Sequence, residues 1–421
     1  MTRVAILLAS ASLIVAVPAW GAEPEIGPGV TRPAFLPPDI LILDALDASP
    51  TVNEAQANLS GAQAASRQLA AGDHETVVSA TLDERDVRTD GRFTEWSLQL
   101  TRGLRLPGKA ALDRAAGAVG VRAASDGIED ARHQTSLIFA EYWVVWLAAV
   151  ERRVIDEAEL TTYARDVQAL SRRVDLKDAA LVDLEQARAA QARAAAALAV
   201  SEGEQSNARA MLEGLFPNLA GVAPGELTPP IEPSRPYDLW ADIIIQRSHE
   251  LTMARALADQ QHLFARRSAR DRTPDPSVGV RLFNERGGDE TGVGLVFSMP
   301  FSGARRSATA DRQAAEASAA EARFAMTARE VRSNAQRDVI SAAGSLRAWR
   351  DSEAARAAAE QSAQRITRGY DLGEFDLADR LLAERQAFEM RRLELEARAR
   401  AHLALLKMAL DAHEFWLAED E

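Results

Sequence analysis

Six histidines, His74, His133, His249, His262, His402 and His413, are the first candidates for chemistry, because imidazole is the commonest metal ligand and acid–base group. They are scattered along the chain. No two stand four residues apart with a third ligand beside them, so no zinc site follows from the spacing. The chain has no cysteine, which removes thiolate metal sites, disulfides and a cysteine-borne lipid anchor. It also has no Walker A loop, no dinucleotide-binding glycine motif and no G-x-S-x-G nucleophile turn. Its 62 acidic residues are too many for any one pair to stand out as acid and base. The chain therefore reads as a non-enzyme without a cofactor. Two carboxylates, Asp183 and Asp379, stand out by position instead, and what they do depends on the elements that place them.

Those elements come in two copies. Val174-Asp175-Leu176 with Leu181 and Asp183 is answered by Tyr370-Asp371-Leu372 with Leu377 and Asp379, all at an offset of 196 residues. Gly108 and Gly303 repeat at an offset of 195, and Ser49-Pro50-Thr51 and Ser248-His249-Glu250 each open an alanine-rich helical pattern, to about Ala71 and Arg270. Near-constant offsets over several landmarks indicate duplication. The copies cover 42–216 and 238–411, with a proline-rich segment at 23–41 before them and a tail at 412–421 after them. Between them lies 217–237, where Pro217, Pro224, Pro229, Pro230, Pro233 and Pro236 forbid a continuous helix or central strand, so it reads as a linker.

Composition limits what the copies can build. The 421 residues are 47% hydrophobic but only 5% aromatic, and alanine dominates runs such as 189–199, which favours closely packed rods over globules. Arg3, the apolar run Val4 to Val17 and the small-x-small motif Ala19-Trp20-Gly21 read as a signal peptide over 1–22, removed on export. The formal charge of −13, which becomes −14 without Arg3, argues against a nucleic-acid partner. The next most apolar run, Leu137 to Val150, carries Glu141 and is short for a membrane span, so it is expected to be a buried helix face.

Proline is absent from 108–216 and 301–421, where Ala, Arg, Glu and Leu dominate as they do in long helices. A helix of about 65 residues is on the order of 100 Å long. Leu184, Ala187, Gln191, Ala194, Leu198, Ser201, Gln205, Ala208, Leu212 and Leu215 alternate by three and four, as in a coiled-coil seam, and the stripe from Leu377 to Leu410 is a looser version. The short breaks near Leu176 and Gly373 fold each long helix back into a hairpin, with Leu176, Lys177 and Gly373 in the tip turns.

Between helices the pattern switches to a period of two. Val78, Ala80 and Leu82 alternate with Ser79 and Thr81, and Trp96, Leu98 and Leu100 with Ser97 and Gln99; in the second copy Val278, Val280 and Leu282 alternate with Ser277, Gly279 and Arg281, and Val293, Leu295 and Phe297 with Gly292, Gly294 and Ser298. Each pair makes a hairpin, across Asp90-Gly91 and across Gly287-Gly288-Asp289. A half-buried soluble sheet shows the same alternation. If the apolar members face lipid instead, four strands cannot close, since a membrane barrel needs at least eight, so several chains must share one.

Helix, hairpin and helix hairpin, repeated after a signal peptide, resemble the TolC-like outer-membrane efflux family over about Ile42 to Asp411. The sharpest marks are Pro274-Asp275-Pro276-Ser277-Val278-Gly279-Val280, Met299-Pro300-Phe301-Ser302-Gly303, and Arg368-Gly369-Tyr370-Asp371-Leu372-Gly373-Glu374-Phe375 with Asp379 and Leu382. The first looks most like the family's heavy-metal (cobalt-zinc-cadmium type) branch. The resemblance implies a mainly α fold with a small β part: long antiparallel coiled-coil helices forming an α-barrel, and four strands per chain in a homotrimeric twelve-stranded barrel. It implies an outer-membrane channel with a periplasmic extension, in contact with outer-membrane lipid. A periplasmic adaptor (membrane fusion) protein and a proton-driven inner-membrane pump would be its partners, and metal cations one cargo. Asp183 and Asp379 would form acidic rings at the periplasmic constriction, a turn or more into the returning helices, with Tyr370 and Arg368 bridging helices there. Lys177, where the second copy has Gly373, is expected to make the first tip turn different. The competing readings are a periplasmic adaptor, which would carry one hairpin nested in a β-domain, and a coiled-coil scaffold, which would leave the strands without a role.

Overall fold

The computed structural model describes residues 29–416, so the signal peptide expected over 1–22 and the ends of both terminal segments lie outside the described residues. The same order of elements occurs twice along the chain. The first is α1 (Asp39–Asp47), α2 (Pro50–Ala71), β1 (Thr76–Val87), β2 (Gly91–Gly103), α3 (Lys109–Asp175) and α4 (Leu181–Leu215). The second is α5 (Tyr237–Arg247), α6 (His249–Arg270), β3 (Ser277–Glu285), β4 (Glu290–Ser298), α7 (Ala304–Asp371) and α8 (Leu377–Asp411). The helices correspond closely in length: 22 residues in α2 and α6, 67 and 68 in α3 and α7, 35 in α4 and α8.

At 1.5 Å per residue α3 and α7 are each about 100 Å long. Such a rod needs partners along its whole length. α4 folds back on the half of α3 nearest the tip and α2 covers the other half; α8 and α6 do the same for α7. α3 also contacts α6 and α8, which joins the copies side by side. The coiled-coil stripe of α4 faces inward as its spacing predicts: Leu184, Ala187, Ala194, Ser201, Ala208 and Leu212 are buried, while Leu215 at its end is exposed.

Large side chains gather at the waist. Phe139, Trp143, Trp146 and Leu147 of α3 pack with Phe35, Ile42, Leu46, Phe216, Leu406 and Trp416. The apolar run around Glu141 is thus a buried helix face, and no helix among the described residues is long and apolar enough to cross a membrane. Beside it Trp240, Leu346, Trp349, Leu405 and Met408 form a second cluster.

The proline-rich connection is more than a spacer. It starts with a short 3-10 turn at Pro217–Leu219 and then lies as a strap across α3 and α8. Leu227 is fully buried, its amide donates to Glu151 (2.7 Å), its carbonyl accepts from Arg398 (2.5 Å), and the Thr228 carbonyl meets His402 Nε2 at 2.6 Å. The terminal segments are likewise pinned. The Gly29 amide donates to Glu414 (2.7 Å), whose other oxygen pairs with the buried guanidinium of Arg235 at 2.9 Å.

Lys177 does not change the first tip turn. The Lys177 amide donates to Val174 (2.9 Å) and the Asp178 amide to Arg173 (2.7 Å); Gly373 and Glu374 make the same two bonds to Tyr370 and Gly369 at 3.0 and 2.9 Å. Both are the paired bonds of a Schellman cap, and both C′ residues are left-handed, Lys177 at φ 60° and Gly373 at φ 80°. The hairpin closure dictates the turn, and lysine pays a Cβ penalty to make it. Lys177→Gly is therefore expected to stabilise the protein by about 0.5–1 kcal/mol. An unchanged or lower denaturation midpoint contradicts this.

Candidate functional site: the exposed apolar sheet face and the paired helix tips

The four strands form one antiparallel sheet in the order β1-β2-β3-β4. The two hairpins are joined by pairing of β2 with β3, from Trp96 opposite Asn284 to Gly103 opposite Ser277, although the rods lie between them in sequence. Residues directly opposite share a face. Val78, Leu100, Val280 and Leu295 therefore form one cross-sheet row, and Ala80, Leu98, Leu282 and Val293 the next. Leu82 and Trp96 continue that face toward the hairpin turns, Val278 and Phe297 toward the helices.

This face is open. Every one of the eleven large side chains expected to face lipid is exposed, from 39% for Val278 to 91% for Leu295. In a soluble half-buried sheet the apolar side would be covered by the core. Here the polar side is the more sheltered: Phe93, Glu95, Ser97, Gln99 and Thr101 of β2 are half-buried while their apolar neighbours are exposed. The interior glycines of β3 and β4, Gly279, Gly292 and Gly294, lie on the polar side. A Cβ on Gly279 would stand 2.3 Å from the Leu100 carbonyl oxygen, and one on Gly292 would stand 2.4 Å from the Phe283 ring. Charged residues bracket the apolar band, with Arg102 at the helix end and Glu84, Asp86 and Arg92 at the turn end, where Arg92 lies 3.8 and 3.6 Å from the two acids.

A buried polar joint fixes the sheet to the rods. Lys109, 2% exposed at the start of α3, reaches Asp275 (2.8 Å), Asp271 (3.0 Å) and the Thr273 carbonyl (2.8 Å). Asp275 also accepts from the Leu106 amide at 3.0 Å and lies 3.1 Å from His74. Burial pushes the Asp275 carboxyl up, but the bonds from Lys109 and Leu106 outweigh it and hold it below the usual range. Asp275 thus ties the copies together where strands meet helices.

At the other end the tips of the two hairpins share one small core: Leu170, Leu184, Ala187 and Leu377, with Tyr370 against them. Asp183 and Asp379 sit at equivalent third positions of α4 and α8, inside the first turn rather than beyond it. There the helix dipole favours a carboxylate. Asp379 is exposed and its amide is capped by Asp376 at 2.9 Å, while Asp183 is half-buried. Tyr370 does bridge helices: its hydroxyl accepts from Arg173 of the first hairpin at 3.1 Å, and the Arg380 guanidinium lies 5.1 Å from its ring centre. Arg368 is exposed, and its side chain has no ion pair among the described residues.

Two clusters were not visible in sequence. Between α3 and α8 runs a ladder of buried ion pairs: Arg380 to Asp166 (2.5 Å), Arg392 to Asp156 (2.6 Å) and to Glu159, and Arg398 to Glu151 (2.8 Å). Glu384 joins it through Arg380, and burial pushes its carboxyl up despite that partner. At the waist three of the histidines converge. His249 stacks on His413 with ring centres 4.5 Å apart, and His133, 5.7 Å from His413, lies 2.9 Å from Asp411. Burial, and then the neighbouring imidazoles, push His413 down to about 3, so the His413 ring is held neutral. No group of acids and histidines among the described residues has the arrangement to hold a metal ion.

No protein-family model and no curated protein matches the chain. Solved structures do. VceC, an outer membrane protein from Vibrio cholerae, superposes with a TM-score of 0.69 at 20% identity, covering 88% of this chain and 95% of VceC. CusC, whose crystal structures describe folding and transmembrane channel formation, gives 0.70 at 18%, covering 91% and 99%. The chain has the TolC-like channel fold. The Campylobacter jejuni CmeC outer membrane channel extends the likeness over 100% of this chain and 96% of its own, with a TM-score of 0.68 at 15% identity. Of these, CusC and CmeC are channel proteins. In this fold the α3–α8 ladder joins the rods, the Lys109–Asp275 pair ties the sheet to them, and both edge strands, β1 and β4, are unpaired among the described residues.

Proposed function

We propose that the chain, exported by a cleaved signal peptide, is the outer-membrane channel subunit of a tripartite efflux system. Three copies share a twelve-stranded barrel and conduct solute passively across the periplasm and outer membrane. The observation that carries this reading is the apolar sheet face, exposed from edge to edge on a sheet that cannot close by itself. Strand parity supports the closure: with four antiparallel strands, β4 of one copy meets β1 of the next in antiparallel sense, and three copies leave no free edge. Length supports it too. The nine residues of β3 and of β4 extend about 30 Å, and a tilt near 40° brings the rise to roughly 23 Å, close to a membrane barrel's apolar band of about 25 Å. The adaptor reading is less favoured, because two hairpins and one exposed sheet replace its single hairpin and folded β-domain.

The helix tips are the periplasmic end, where an adaptor protein and a proton-driven inner-membrane pump engage. Leu176 and Leu372, equivalent residues of the two tip turns, are 78% and 69% exposed, an unpartnered apolar pair suited to such a contact. Asp183 and Asp379, three of each around the axis, hold cations and water in the closed aperture. Metal cations are one cargo this reading includes. The stretch Pro274 to Val280 is weak support for it, because its Asp275 is engaged by Lys109 and His74 as a structural joint.

Conductance in planar bilayers tests the aperture. Replacing Asp183 and Asp379 together by alanine is expected to raise the resting conductance several-fold and weaken cation preference. Unchanged conductance removes both residues from the gate.

A further inference from the structure

The polar, more sheltered face of the sheet carries charge very unevenly. Its three central cross-sheet rows are Val77, Thr101, Gly279 and Val296; Ser79, Gln99, Arg281 and Gly294; and Thr81, Ser97, Phe283 and Gly292. Arg281 is the only charged residue in these twelve positions. The acids of this face lie nearer the hairpin turns, where Glu95 is already paired with Arg85 at 3.0 Å. Arg281 is exposed and has no carboxylate partner among the described residues.

It is nonetheless held in place. Phe283, two residues on and on the same face, fills the space over Gly292, and the Arg281 guanidinium lies 5.5 Å from the centre of that ring. An aromatic ring steadies a guanidinium without neutralising it. Beside Arg281 on the next strand is Gly294, where a Cβ would meet nothing within 4 Å, so the space in front of the guanidinium is open.

We infer that Arg281, repeated around the shared barrel, forms a ring of unneutralised guanidinium groups that favours anionic solutes and opposes bare metal cations. This rests on the trimeric barrel proposed above and names a solute class for it. Rings of basic side chains are how pores select anions and phosphates, and guanidinium matches phosphate oxygens in a bidentate fork. The barrel and the acidic tips then carry opposite signs, so a metal ion held at the tips meets a repulsive ring on its way out.

Tripolyphosphate is a suitable probe, added to each side of a planar bilayer holding the full-length protein. The wild type is expected to be blocked from the hairpin-turn side at millimolar concentration or below. Arg281→Gln should weaken the block about tenfold or more, and Arg281→Lys should give an intermediate block, because the charge remains while the bidentate fork is lost. An unblocked wild-type channel overturns the inference, and so does equal block of wild type and R281Q. A wild-type protein that forms no channel at all is a different outcome, and it overturns the barrel reading beneath.

Discussion

Arg392→Ala is expected to destabilise the helical body by about 3–5 kcal/mol. Arg392 pairs with Asp156 at 2.6 Å and with Glu159, and these acids are 1% and 2% exposed. Removing the guanidinium leaves two carboxylates buried side by side with less than their charge compensated. Arg152 lies 3.3 Å from Asp156 and Arg193 3.5 Å from Glu159, so part of the compensation remains, and the lower end of the range applies if both can close in. Desolvation opposes the Arg392 charge, but its two acids outweigh that and hold its pKa above the usual arginine range. Arg400→Ala is the matched control: its pair with Glu396 is long at 3.6 Å and Arg400 is 72% exposed, so it should cost under about 0.5 kcal/mol. Replacing Arg392, Asp156 and Glu159 together by apolar residues of similar size should recover most of the loss, because the penalty comes from stranded charge and not from the absence of a salt bridge. Denaturation followed by circular dichroism at 222 nm separates these cases. If R392A and R400A fall together, the ladder contributes nothing beyond surface pairing.

The second large effect is face-specific. Leu98 lies in the middle row of the apolar face, between Ala80 and Leu282, and its neighbour Gln99 lies on the opposite, polar face. An arginine on the lipid side of a membrane strand near mid-depth costs about 2–4 kcal/mol, and a threefold assembly incurs that cost three times. Leu98→Arg should therefore abolish the inserted trimer, leaving aggregated or degraded chain in the periplasm. Gln99→Arg should still assemble, with altered conductance. If this sheet stayed in water both changes would be tolerated, since Leu98 is exposed and Gln99 only half-buried. Equal yields of assembled L98R and Q99R contradict the orientation of the sheet; loss of Q99R alone would reverse it.

Much of this architecture was legible because local rules and tertiary demands agree. The absence of proline and the alanine content predict rods of about 65 residues, and α3 and α7 have 67 and 68. Ser248 marks the start of α6 because its hydroxyl accepts from the Leu251 amide at 3.2 Å, as an N-cap should. Period-two alternation located all four strands and the face on which Leu98 and Leu295 lie, because register couples alternate residues to one side. Pairing of β2 with β3 was not legible, since it joins residues separated by two helical rods, and periodicity carries no information at that range.

The tip and the waist mark the other limit. Lys177 suggested a different turn because glycine is the preferred left-handed residue, yet the helix-ending bonds at Arg173 and Val174 impose the same conformation. Asp183 and Asp379 stand earlier in their helices than a turn or more, since the helices begin only at Leu181 and Leu377. The histidines are scattered in sequence, and His133, His249 and His413 lie on three segments that meet only in the fold. The ladder was hidden by abundance: among 62 acids nothing in sequence marks Asp156 and Glu159 as buried. Amphipathic spacing does hint at it, since Arg380, Arg392 and Arg398 follow the inward side of α8 beside Ala383, Leu395 and Ala399.

The central claim is that three chains close one barrel in a membrane. Fractionation of the expressed protein, followed by the protein mass of the detergent-solubilised particle from light scattering, tests it most directly. The account predicts recovery with outer membranes and a mass near three times that of the exported chain, in a form that migrates as a trimer on gels until heated. A monomer recovered in the soluble periplasmic fraction would contradict it.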